Sequence, residues 1–118
     1  MNTDSYVDFF RQTSPYIHSH RGKTFVIAVD GESVADANFH RTVHDIALLQ
    51  SLGIYIVLVH GGRPQIDKRV ALSGIKGKFH QQLRITDADT MHCVKEALGS
   101  TRWQIESEFS MGLPNSPM

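Results

Sequence analysis

Ile54-Tyr55-Ile56-Val57-Leu58-Val59-His60-Gly61-Gly62-Arg63-Pro64-Gln65-Ile66 is the stretch that decides the fold. Residues 54–59 are apolar without a break and mostly β-branched or aromatic, which favours a strand over a helix. The run does not alternate, so both of its faces are expected to be covered, as in a parallel sheet. His60-Gly61-Gly62 ends it, and the glycines permit a tight turn with close backbone approach. Pro64 then suits the first turn of a helix, where a missing N–H costs little. A strand, glycine turn and helix in this order aim backbone N–H groups and the positive end of a helix dipole at one point, which favours an anion. The same residues also make an ordinary tight connection. They form neither a G-x-G-x-x-G fingerprint nor a P-loop, because no Gly-Lys-Ser/Thr follows.

Working outward, residues 24–29 form an earlier apolar strand, and Asp30-Gly31-Glu32-Ser33 is its turn. Residues 38–52 form a helix, because Phe39, Val43, Ile46 and Ala47 recur on one face of a 3.6-residue period. Asn38 is its expected N-cap and Gly53 its stop. Two strands joined by a helix make a parallel βαβ unit. Upstream, residues 4–20 are helical with an interruption at Pro15, and Arg21-Gly22-Lys23 ends them. Downstream, a helix runs from Pro64 to about Leu72 and closes at Ser73-Gly74, and residues 75–83 make a loop or short hairpin. Thr86 with Asp89 resembles a capping box that opens a helix carrying Met91, Val94 and Leu98 and ending at Gly99. A further helix spans residues 101–111 with Trp103, Ile105 and Phe109 as apolar anchors, followed by a loop-like tail. A doubly wound sheet needs more than two core strands. The chain therefore reads as the first part of a larger protein.

Composition narrows the function classes. The 118 residues are 41% hydrophobic and 20% charged, a globular balance for about one small domain. Twelve Lys plus Arg match twelve Asp plus Glu, so no overall field recruits nucleic acid or an anionic membrane. Cys93 is the only cysteine, so no disulfide framework exists and a reducing compartment is expected. Asp4 and Asp8 and the lack of a long apolar core argue against a secretory signal. No apolar run approaches the roughly 20 residues of a membrane helix. The expected location is the cytoplasm.

Each candidate for chemistry has a structural alternative. His40 and His44 stand i, i+4 on a helix, close enough to share a metal, but the spacing indicates no third ligand. Packing or solvent-facing histidines are the simpler reading, and no metal site is assigned. His18 and His20 diverge on a helix. Cys93 lies mid-helix with no identifiable base and reads as a small buried thiol. Arg84, just before a helix start, is placed to clamp a carboxylate in two-point geometry or to pair with Asp87 in a structural role. No catalytic residue is assigned.

An ordered set of segments resembles the amino-acid kinase fold family, and most closely the N-terminal domain of the bacterial N-acetylglutamate synthases. They are Phe25-Val26-Ile27-Ala28-Val29-Asp30-Gly31-Glu32, then Asp45-Ile46-Ala47-Leu48-Leu49-Gln50-Ser51-Leu52-Gly53-Ile54, then His60-Gly61-Gly62-Arg63-Pro64-Gln65-Ile66-Asp67, and Arg84-Ile85-Thr86-Asp87-Ala88. Pro15-Tyr16-Ile17 and His20-Arg21-Gly22-Lys23-Thr24-Phe25 also look like the synthases. The resemblance implies the N-terminal part of a three-layer α/β fold with a mainly parallel sheet. It divides the chain into an N-terminal helical segment, 1–23, and an incomplete amino-acid-kinase-like domain, 24–118. Where the kinases keep a phosphate-balancing lysine followed, one residue on, by two glycines, this chain has Ala28, Asp30 and Gly31. A methyl group neutralises no phosphate and a carboxylate repels one, so the resemblance implies that most of the electrostatic stabilisation of phosphoryl transfer is lost. The kinases also have a third glycine where Arg63 stands.

The resemblance thus implies an arginine-sensing regulatory domain of an enzyme of arginine biosynthesis. That enzyme transfers acetyl from acetyl-CoA to L-glutamate in a separate acetyltransferase domain, which lies outside this chain. It implies acetyl-CoA as co-substrate of the whole protein, no cofactor held by this part, L-arginine as effector and a homo-oligomer. Gly61, Gly62 and Arg84 are carried over as an ancestral amino-acid site, and Tyr16 as an arginine contact. The alternatives are the N-terminal half of an active acetylglutamate kinase, or a non-catalytic amino-acid-binding module.

Overall fold

The computed structural model describes residues 2–74, 78–81 and 83–111. In chain order the elements are α1 (Thr3–His20), β1 (Thr24–Val29), α2 (Gly31–Ala35), α3 (Phe39–Ser51), β2 (Tyr55–His60), α4 (Arg63–Ser73), β3 (Lys78–His80), β4 (Leu83–Ile85) and α5 (Ala88–Ser110). β1 and β2 pair in parallel, with Thr24 opposite Tyr55 and Val29 opposite His60. β3 and β4 form a separate antiparallel pair, the short hairpin allowed by the sequence.

The core lies between one face of β1–β2 and the helices α2, α3 and α5. Val34, Phe39, Val43 and Ile105 are its buried centre, with Val29, Leu58 and Phe109 packed against them. The expected apolar face of α3 is the observed one, since Phe39, Val43, Ile46 and Ala47 are all buried. Burial of each large apolar side chain here contributes about 1.5–3 kcal/mol. α3 ends as expected: Gly53 takes φ +93°, a conformation that a side chain would strain.

Four expectations are corrected. α1 runs unbroken through Pro15. The proline removes one N–H donor on an exposed surface, where an unpaired carbonyl costs little, and the hydroxyls of Thr13 and Ser14 donate back to the Phe9 and Phe10 carbonyls. Asp30-Gly31-Glu32-Ser33 is not a bare turn but the cap and first residues of α2. Gly99 does not end a helix: α5 continues through it for 23 residues, because Ala97 and Thr101 on either side are both buried. The penalty of a mid-helix glycine, about 1 kcal/mol, is smaller than that packing gain. The α5 cap is Asp87, whose carboxylate accepts from Thr90 N at 2.9 Å, rather than Thr86.

The buried stripe of α5 is Thr90, Cys93, Ala97, Thr101 and Ile105, while Met91 and Trp103 face solvent. Small residues let α5 approach α4, where Val70 is buried and Ser73 Oγ lies 3.6 Å from Cys93 Sγ. Cys93 is the small buried thiol its position suggested, and the Thr101 hydroxyl is satisfied by Ala97 O at 2.8 Å. The sheet departs from expectation as well. β1 and β2 alternate between exposed and half-buried residues, so Val26, Tyr55, Val57 and Val59 present an uncovered apolar face. A continuous apolar run predicts two covered faces, and among the described residues only one is covered.

Candidate functional site

Two strand-to-helix turns meet at the ends of β1 and β2. In the first, Asp30 caps α2, its carboxylate accepting from Ser33 N at 2.8 Å. Hydrogen bonding from the Ser33 side chain and then its backbone N–H holds the Asp30 carboxyl below the ordinary carboxylate range. A helix N-terminus that would attract an anion is thus occupied by the chain's own carboxylate. In the second turn Gly61 N donates to Val29 O at 2.9 Å, so this donor is committed to β1 and does not point at a ligand. α4 then starts at Arg63 with proline in its first turn, as the sequence indicates.

The glycines are explained by how closely these turns pack. A Cβ on Gly31 would lie 2.7 Å from Gln65 Oε1, 2.8 Å from Pro64 Cδ and 3.0 Å from Arg63 N. One on Gly61 would lie 3.3 Å from Gly31 N, and one on Gly62 would lie 2.5 Å from Leu98 Cδ2 on α5. Gln65 Nε2 donates to Gly31 O at 2.9 Å and ties α4 to the first turn. Gln65 Oε1 is buried with no partner among the described residues, at a cost of about 1–3 kcal/mol. Gly61 and Gly62 therefore lie beside Asp30 and Gly31, with backbone and Leu98 filling the space that side chains would take. Asp30, read as part of a turn, belongs to the residue types favoured at N-caps, and that is the signal the sequence holds for it. The sequence carries no signal for the Gln65 clamp or for Leu98 over Gly62, which depend on long-range packing.

The other candidates are elsewhere. Arg84 is on β4, opposite Phe79, and its side chain lies outside the described residues, as does the question of its pairing with Asp87. Tyr16 is on α1 and 67% exposed. It borders an apolar groove with Phe9, Phe10, Phe25, Leu48 and Leu52, which includes neither glycine turn. No carboxylate lines that groove, so its described wall offers no partner to a guanidinium. The groove ends where α1 joins the domain: the rings of His20 and Phe25 meet edge to face at 5.4 Å, and Gly22 N donates to Gly53 O at 2.8 Å. Ala28 is on the uncovered face of β1, opposite Val59. Among the described residues no helix is long and apolar enough to cross a membrane.

Comparison with known proteins agrees with this geometry. The chain is 51% identical over 113 residues to the amino-acid acetyltransferase of Pseudomonas paraeruginosa and 50% identical to that of Pseudomonas syringae pv. syringae. Each match covers 96% of this chain and 26% of the relative, so the chain spans about a quarter of their length. Two crystal structures of N-acetylglutamate synthase from Neisseria gonorrhoeae superpose with a TM-score of 0.73 at 32% identity, covering 87% of this chain and 24% of theirs. One is complexed with coenzyme A and N-acetyl-glutamate, the other with coenzyme A and L-arginine. Residues 23–112 match the amino acid kinase family, and with the parallel β1–β2 pair and its helices on the page, the chain belongs to that family.

Proposed function

We propose that this chain is the start of an N-acetylglutamate synthase, an enzyme transferring acetyl from acetyl-CoA to L-glutamate, and that it belongs to the arginine-sensing domain. The carrying observation is the kinase-type turn pair whose first helix is capped by the chain's own acid. Ala28 stands in the strand where a phosphotransferase keeps its cation, and Asp30 occupies the helix N-terminus. This scaffold is unsuited to phosphoryl transfer. The relatives named as amino-acid acetyltransferases and the arginine-bound synthase support assigning it to regulation instead. Gly61, Gly62 and Arg84 are the remnant of an amino-acid site, and Tyr16 is an effector contact whose charged partners come from elsewhere in the longer protein. The family match beginning at residue 23 supports a division into a helical segment, 1–23, and an incomplete domain, 24–118. The uncovered apolar side of α1 supports assembly into a homo-oligomer.

The test is acetyl-CoA-dependent acetylation of glutamate by the longer protein, with and without arginine. Acetylglutamate formation whose rate changes with arginine is expected. No acetylation of glutamate rejects the enzyme assignment, and a rate indifferent to arginine rejects the sensing role alone.

A further inference from the structure

On the outer side of α3, His40 and His44 stand one helical turn apart, with ring centroids separated by 5.9 Å and planes crossed at 80°. His40 is exposed and His44 half-buried. His40 Nδ1 lies 3.1 Å from the carbonyl oxygen of Ala37. A carbonyl only accepts, so Nδ1 carries the proton, and in the neutral ring Nε2 keeps its lone pair. Both rings project from one helix, which fixes their spacing without help from a loop. Two imidazole nitrogens bound to one ion at ordinary distances lie at most about 4.2 Å apart. Chelation therefore requires the exposed His40 side chain to leave the Ala37 carbonyl and rotate toward His44.

We propose that His40 and His44 form a two-point chelate for a divalent transition ion that accepts imidazole, such as nickel or zinc. Among the described residues no group of three His, Cys, Asp or Glu side chains could hold a metal. Water therefore completes the coordination shell, and the site is open. Imidazole selects against magnesium and calcium, which prefer oxygen ligands. The ion has a structural consequence. Asn38 makes no side-chain cap bond, so the N-terminal turn of α3 lacks the usual side-chain cap. A metal joining His40 to His44 ties that turn to the next, and binding to the folded state alone raises stability with ion concentration.

The experiment uses untagged, metal-stripped full chain, titrated with nickel chloride by calorimetry and followed by thermal unfolding. One ion per chain and a rise in Tm are expected, with no response to magnesium chloride. His40→Gln and His44→Gln should each weaken nickel binding at least tenfold and remove the Tm rise. His92→Gln, on α5, should leave both unchanged. No nickel binding by the unaltered chain, or affinity retained within twofold in the His40→Gln/His44→Gln variant, would overturn the proposal. Both positions lie on the outer side of α3, and the Tm of each variant without metal checks its folding.

Discussion

Asp30 carries the electrostatics of the first turn. Its carboxyl is held below the ordinary range by Ser33, so the charged form is favoured more in the folded than in the unfolded chain. The stabilisation is therefore present above the unfolded carboxylate value and is lost as pH falls through the lower folded value. Asp30→Asn keeps an N-cap acceptor but removes this dependence. Urea unfolding should show the unaltered chain ahead of Asp30→Asn at neutral pH, with the gap closing as pH falls below the ordinary carboxylate range. A gap independent of pH would contradict the role given to the charge. Glycine makes a second prediction at this scale. Gly62→Ala sets a methyl against Leu98 Cδ2 and should destabilise by about 1–3 kcal/mol. The same change in a Leu98→Ala background should cost clearly less, because the clashing group is gone. Equal costs in both backgrounds would mean that the glycine is needed for something other than Leu98.

Among the elements, α5 separates what the sequence makes legible from what it does not. Gly99 lies inside this helix, and a Cβ there meets nothing within 4 Å. Gly99→Ala should therefore stabilise by about 1 kcal/mol, visible as a higher Tm, whereas a true helix end at this position would lose stability. Ile105→Ala, in contrast, empties a core position and should cost about 2–5 kcal/mol. The β1–α3–β2 unit is legible residue by residue, because its apolar period, its glycine stop and its strand composition agree. α5 is not, because its buried stripe consists of Thr90, Cys93, Ala97 and Thr101, which carry little hydrophobic signal, while Met91 and Trp103 draw attention to an exposed face. The stripe is selected by how closely α4 approaches, which is a property of the pair of helices. The candidate site divides in the same way. Gly61 and Gly62 are visible as a turn, but the reason they must be glycine lies in Gly31 and Leu98, which are distant in sequence.

At the scale of the whole molecule, shape and exposed apolar surface belong together. The radius of gyration is 19.2 Å, against roughly 13–14 Å for a compact chain of this size, and α1 buries none of its residues. An arm with Tyr6, Phe9, Phe10 and Tyr16 exposed suits a contact between copies. If the proposed homo-oligomer forms through this arm, Phe10→Asp should shift the longer protein to a smaller sedimenting species. An unchanged oligomer would place the contact elsewhere. The central claim is that a kinase scaffold has lost phosphoryl transfer, since the strand offers a methyl at Ala28 and the helix N-terminus an acid at Asp30. The most direct measurement is ADP release by the intact longer protein supplied with ATP, magnesium and N-acetylglutamate. The account predicts no release above the rate without N-acetylglutamate, and sustained ADP formation that depends on it would contradict the account.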